Sequence, residues 1–164
     1  MLAVSGGLNP QQRGPSMYPT LARALLEGQS RPGEGWGQSD ERQQARRSVY
    51  IYVKRVLAVP ELDLLDAPDT TSSCEARPVS TTAPQALTFL NGAFTNAQAR
   101  HFAQRLRREA GDEPAAQVRR AFEVALCRPP REEEVGVSAA FVRRQGLEAF
   151  CLVVLNLNEF AYLD

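Results

Sequence analysis

From Pro84 onward the apolar residues repeat with the period of a helix, and this repeat constrains the fold more than any other feature. Ala99, Phe102, Ala103, Leu106 and Ala110 recur at i, i+3, i+4, i+7 and i+11, which puts them on one face of a helix. Gln98, Arg100, Gln104, Arg105, Arg107 and Arg108 fill the other face. Thr95 is the expected N-cap and Gly111 the stop. Before it, Pro84 suits the first turn of a short helix ending at Leu90. After it, Asp112 is the expected cap of a third helix, with Glu113 and Pro114 in its first turn and Val118, Ala121, Phe122, Ala125 and Leu126 as its buried stripe. Arg128-Pro129-Pro130 breaks that helix. Glu132, Glu133 and Glu134 open a fourth, where negative charge suits the positive end of the helix dipole. Val137, Ala140 and Phe141 are its expected inner face, and Gly146 its stop. Leu147, Phe150, Cys151, Val154 and Leu155 keep helical spacing inside the most apolar stretch of the chain, so residues 147–160 read as a central helix.

The first half carries no such repeat. Gly6, Gly7, Pro10, Gly14, Pro15, Pro19, Pro32, Gly33, Gly35 and Gly37 punctuate residues 1–45 as loops. One short helix fits Thr20–Glu27, capped by Thr20 and stopped by Gly28. Ser48-Val-Tyr-Ile-Tyr-Val53 reads as a strand covered on both sides, with Val49, Ile51 and Val53 on one face and Tyr50 and Tyr52 on the other. Residues 60–84 run irregularly between prolines. The expected architecture is mainly α: a loop-rich N-terminal half with one or two short strands, then a bundle of four to five helices. It is expected to form one domain, with a loop-rich arm (1–45), a strand and irregular segment (46–83) and a helical part (84–164).

Charge limits the classes of function. The 19 basic and 19 acidic residues cancel. Residues 1–82 hold nine of each and residues 83–164 ten of each. A nucleic-acid-binding domain shows a basic excess, and none is present. No apolar run approaches the ~20 residues of a membrane span. The start, Met1-Leu-Ala-Val-Ser-Gly-Gly7, lacks the charged and apolar regions of a signal peptide. Cys74, Cys127 and Cys151 form no CxxC, no CxxCH and no metal-ligand spacing.

No catalytic signature is present: no P-loop, no GxGxxG, no HExxH, no GxSxG. The single histidine, His101, sits near the polar face of its helix. Asp66-Ala-Pro-Asp69 sets two carboxylates in a proline-stiffened turn. They could ligate a hard cation or act as an acid/base pair, but a turn whose Asp groups cap amides and pair with Arg47 or Arg77 is the simpler reading. Asn156, Asn158 and Glu159 follow the most apolar helix, where polar groups are expected to bridge orphan backbone atoms. Trp36 sits in a glycine-rich turn as a plug for the loop; with Tyr50 and Tyr52 it is also the candidate stacking surface for a ligand.

These segments together resemble a known family, the planctomycete-type domain of unknown function 1553, or PSD domain. The matching stretches are Leu2-Ala-Val-Ser-Gly6, Leu8-Asn-Pro10, Gly14-Pro-Ser16 and Tyr18-Pro19. Arg46-Arg-Ser-Val-Tyr50, Lys54-Arg55, Asp66-Ala-Pro-Asp69, Ser73-Cys74 and Arg77 continue the series. It closes with Ser80 to Leu87, Leu90-Asn91, Arg128-Pro129, Asn158-Glu-Phe160, Tyr162 and Asp164. Two positions depart from the family pattern: Arg13 stands where a glycine is usual, and Leu65 where a phenylalanine is usual. The resemblance implies a C-terminal domain of a large exported or periplasmic protein, with Met1 an internal methionine of a truncated chain. Its implied partners are the upstream domains of the same protein. A c-type haem is implied only for an upstream domain; this chain has no CxxCH and no expected cofactor or metal.

The expected function is therefore a non-catalytic structural or interaction domain. Arg47, Asp66, Asp69, Arg77, Asn91, Asn158 and Glu159 are the candidate network, and no catalytic residue is assigned. The alternatives are a module binding a polysaccharide or other cell-surface glycan through Trp36, Tyr50 and Tyr52, and a carboxylate- or metal-dependent hydrolase using Asp66, Asp69 or Glu159.

Overall fold

The computed structural model describes residues 1–68, 73, 75, 80 and 82–162. Among these, the helices in chain order are α1 (Leu2–Ser5), α2 (Arg23–Glu27), α3 (Glu41–Gln44), α4 (Pro60–Leu64), α5 (Ala83–Asn91), α6 (Ala93–Ala110), α7 (Pro114–Leu126), α8 (Glu132–Gln145), α9 (Leu147–Leu155) and α10 (Asn158–Ala161). The fold is mainly α, with a loop-rich first half and a helical bundle after it. The chain divides into two compact units: Met1–Gly7 with Thr82–Asp164, and Leu8–Thr81.

In the helical unit, α6 packs on α9 and α7, and α8 packs on α7 and α9. Phe102, Leu106, Val118, Cys151 and Leu155 are fully buried at the centre. Burying each such side chain stabilises the fold by about 1.5–3 kcal/mol. The expected stripe of α9 is buried, and so is that of α6 except for half-buried Ala110; Gln98, expected on the polar face, is buried as well. Helix α1 joins this unit through side-chain bonds. Ser5 Oγ donates to Gln98 Oε1 at 2.6 Å, and Arg105 Nη1 donates to the carbonyls of Ala3 and Val4 at 3.1 and 2.9 Å. A basic side chain thus satisfies the Val4 carbonyl and shares that of Ala3, which also accepts from the Gly6 N–H at 3.3 Å.

Several boundaries differ from expectation. Helix α6 starts at Ala93, one residue after extended Gly92, and Thr95 is buried inside it rather than capping it. Helix α7 is capped by Glu113, not Asp112. Pro114 fits the first helical position, so the preceding residue must be the cap, and the Glu113 carboxylate accepts from the N–H groups of Ala115 and Ala116. Thr20 does not cap α2; its N–H and hydroxyl both donate to Gln44 Oε1, and the helix begins after extended Ala22. In α8 the buried face is Val135, Ala139 and Val142, while Val137 is 69% exposed. Of the expected Val137, Ala140 and Phe141, only Phe141 is half-buried and packs on the core; the packing of α7 and α9 selects the Val135 face instead.

In the second unit the expected strand at 48–53 is corrected. Ser48–Tyr50 is a 3-10 turn, and Val49 and Val53 are 74% and 61% exposed. Only Ile51 pairs, in a single parallel bridge to Met17. Met17 N–H donates to the Tyr50 carbonyl at 2.7 Å, and Tyr52 N–H to the Met17 carbonyl at 2.8 Å. Pro15 and Pro19 flank Met17 and carry no N–H, so the pairing cannot propagate. A second isolated bridge joins Lys54 and Leu57.

The buried apolar residues of this unit are Met17, Leu57 and Val59, and a half-buried aromatic cluster accompanies them. Tyr18 meets Trp36 edge-on at 5.6 Å and lies 4.8 Å from Tyr52, and Trp36 lies 6.1 Å from Tyr52. Trp36 Nε1 donates to the Pro19 carbonyl at 3.3 Å. A Cβ at Gly37 would come within 2.8 Å of the Tyr18 ring, so the absence of a side chain there lets the loop close over it.

Candidate functional site

The densest polar arrangement of the helical unit is built where α7 stops. Cys127 takes a left-handed conformation at φ 55°, and Arg128 follows it before the two prolines. Its guanidinium meets two carboxylates. Nη2 and Nη1 donate to Glu134 at 2.9 and 3.0 Å, and Nε and Nη2 donate to Glu159 at 2.6 and 3.0 Å. Nη1 also donates to the Pro129 carbonyl at 3.3 Å. All five N–H donors of the fork are therefore engaged. The fork also stands 5.1 Å from the Phe122 ring centroid, within the range of a cation–π contact.

The charges tune one another. The Arg128 guanidinium, with help from the Arg131 N–H, holds the Glu134 carboxyl down at about 2. Arg128 likewise lowers Glu159, and the two carboxylates raise the guanidinium in return.

Beside this cluster lies an open groove of about 770 Å³. Val137, Phe150, Val153, Val154 and Leu157 supply its apolar wall, and Glu133, Glu134, Glu159 and Arg128 its charged rim. At its end, Asn156 Nδ2 donates to the carbonyls of Leu152 and Phe89 at 2.7 and 3.3 Å. The expected bridging of orphan backbone atoms is made here by Asn156, to α9 and α5. Asn158 is exposed at the first turn of α10, and Asn91 is exposed at the end of α5.

The other candidates lie in the second unit. Asp66 sits at φ 58° and accepts from the Ser80 N–H at 2.8 Å and the Ser80 hydroxyl at 2.8 and 3.0 Å. Asp69, Arg77 and Cys74 lie outside the described residues. Arg47 is exposed and makes no ion pair with a described carboxylate. Its neighbour Arg46 is the buried one, 1% exposed. Arg46 Nη2 donates to the Arg13 carbonyl at 2.6 Å, and Nη1 to the Pro15 carbonyl at 2.9 Å and Gln43 Oε1 at 3.3 Å. Tyr50 stacks beneath this guanidinium, away from the Tyr18–Trp36–Tyr52 cluster. The three expected stacking residues are thus divided between two settings.

Sequence reasoning passed over Arg46, Tyr18 and Arg128 as site residues. Arg128 had a readable signal: a lone arginine between a helix end and a Pro-Pro, with a glutamate triplet just beyond. Nothing local separates Arg46 from Arg47. Among the described residues no group of three or more His, Cys, Asp and Glu side chains is placed to hold a metal ion. No described helix is long and apolar enough to cross a membrane.

Fold and site together define a mainly α-helical domain whose charged motif residues bind one another beside an apolar groove. The chain belongs to the PSD1 family, described as a protein of unknown function (DUF1553), which matches residues 1–142. The match ends before the Asn158–Tyr162 stretch that the sequence resemblance had included. No curated protein and no solved structure matches the chain.

Proposed function

We propose that this domain is a non-catalytic structural and interaction module of a larger exported protein, and that it contacts other domains of that protein. The observation that carries the reading is the saturation of Arg128. A fork with every donor engaged by Glu134, Glu159 and Pro129 has none left for a substrate anion. Glu159, one of the carboxylates offered for a hydrolase beside Asp66 and Asp69, is held ionised by the same arginine, which suits an ion pair better than a general acid. Export and the upstream partners are supported by the family resemblance.

The test uses Arg128→Ala and Glu159→Gln in the whole chain. Both variants are expected to lower the thermal midpoint, and Ca²⁺, Mg²⁺ and Zn²⁺ to leave the wild-type midpoint unmoved. Unchanged midpoints, together with stoichiometric divalent binding lost in Glu159→Gln, would establish the hydrolase reading instead. Glycan binding lost in Trp36→Ala at unchanged fold would establish the glycan module.

A further inference from the structure

Helix α8 is apolar on two faces, and the chain covers only one. Val135, Ala139 and Val142 face the core. Gly136, Val137 and Ala140 are exposed on the outer side. Gly136 lies inside a helix, where glycine costs about 0.5–1 kcal/mol relative to alanine. No atom of this chain lies within 4 Å of where its Cβ would stand, so internal packing does not require a glycine there. Val137 and, across the groove, Val153 at 45% exposure extend the same bare apolar surface.

The rim adds a sign. Three carboxylates, Glu133, Glu134 and Glu159, line the groove with one guanidinium, Arg128, which is engaged by two of them; Arg131 acts on the same two from beside the groove, so the carboxylates still outnumber the cations by one. Glu133 makes no ion pair with a described residue. The groove is thus apolar within and net negative at its edge.

We propose that this groove docks an amphipathic helix of a partner domain, with an apolar stripe on one face and lysine or arginine beside it. The stripe would lie on Val137 and Val153. The basic residues would meet Glu133 and the outer side of Glu159. Helix-in-groove recognition needs this pairing of apolar anchors with complementary rim charge. The inference rests on reading the domain as an interaction module, and names the chemistry of its partner.

The probe is a designed Leu/Lys helix whose leucines form one stripe, offered to the whole chain and followed by amide chemical shifts. Two controls accompany it: a permuted peptide of equal composition without a stripe, and a Leu/Glu helix. Saturable binding of the striped Leu/Lys helix is expected, with shifts at Val137, Val153 and Asn158. Val137→Arg and Glu133→Lys each reduce the affinity about tenfold or more, while circular dichroism shows both variants folded. No binding, shifts on another face, equal binding of either control, or undiminished affinity in both variants would overturn the proposal. None of those results bears on the ion-pair stability and divalent-ion test, so the two readings can fail separately.

Discussion

The Arg46 guanidinium lies over the Tyr50 ring, with its central carbon 3.8 Å from the ring centroid. The same tyrosine accepts, through its hydroxyl, the Arg13 N–H at 2.9 Å. One buried cation and one ring therefore hold the 13–15 loop from two sides. Arg46→Met keeps most of the volume but leaves the Arg13 and Pro15 carbonyls without their donors. A loss of about 2–4 kcal/mol is expected. Trp36, the sole tryptophan, lies in the same unit, so urea denaturation followed by its fluorescence reads the effect. An unmoved midpoint would show that the carbonyls find other donors.

Arg13 itself occupies the left-handed region at φ 62°, followed by Gly14 at φ 91°. A non-glycine residue there costs about 1–2 kcal/mol, which gives a physical reason for the glycine the resembling family usually carries. Arg13→Gly keeps the carbonyl that Arg46 binds and is expected to raise stability by about 0.5–1 kcal/mol. Arg13→Ala retains the strain and should gain nothing. Equal midpoints for the two variants would rule out backbone strain as the cause.

Asp66 and Arg47 were expected to act in one network, and the structure separates their consequences. Asp66→Ala removes a carboxylate that accepts from Ser80 at two atoms and places alanine at φ 58°. It is expected to cost about 1–3 kcal/mol. Arg47→Ala changes an exposed side chain and should stay within about 0.5 kcal/mol. Paired denaturation curves decide this. Equal losses would restore Arg47 to the network.

Acid should loosen the helical unit through Glu134 and Glu159. Both carboxyls are depressed from 4.5 in the folded state, Glu134 to about 2, chiefly by the Arg128 hydrogen bonds. A depressed folded value means that the unfolded chain binds protons first. The stabilisation is then full above about pH 4.5 and lost as pH falls toward 2. Urea midpoints followed by far-ultraviolet circular dichroism should fall across this window in the wild type and fall less steeply in Glu134→Gln. Added salt should weaken the effect, because the groups are solvent-accessible.

The cysteines should differ sharply in reactivity. Cys151 is fully buried and its thiol is pushed up to about 12, chiefly by burial, whereas Cys127 is exposed. Thiolate is the reacting form. Iodoacetamide should label Cys127 in the native protein, and Cys151 only after unfolding. Peptide mass mapping checks the order, and native labelling of Cys151 would place it nearer the surface.

Amino-acid order alone determined the helical half to within a few residues. The stripes of α6 and α9, the breaks at Gly111, Pro129 and Gly146, and the acidic opening of α8 were all legible there. Each is a local property, set by spacing along one helix or by the next residue's lack of an N–H. Tertiary structure decided what depends on distant neighbours. Alternation at 48–53 looked like a strand, but Met17 between two prolines offers one residue of pairing. Two apolar faces on α8 were equally periodic, and only the packing of α7 and α9 chose between them. Arg46 and Arg47 are adjacent and chemically identical, yet one is buried under the loop from residue 13 and the other is in solvent. Arg128 became the centre of the candidate site because the fold brings Glu159 to it from 31 residues away. Such contacts form only when remote segments meet, so no local pattern encodes them.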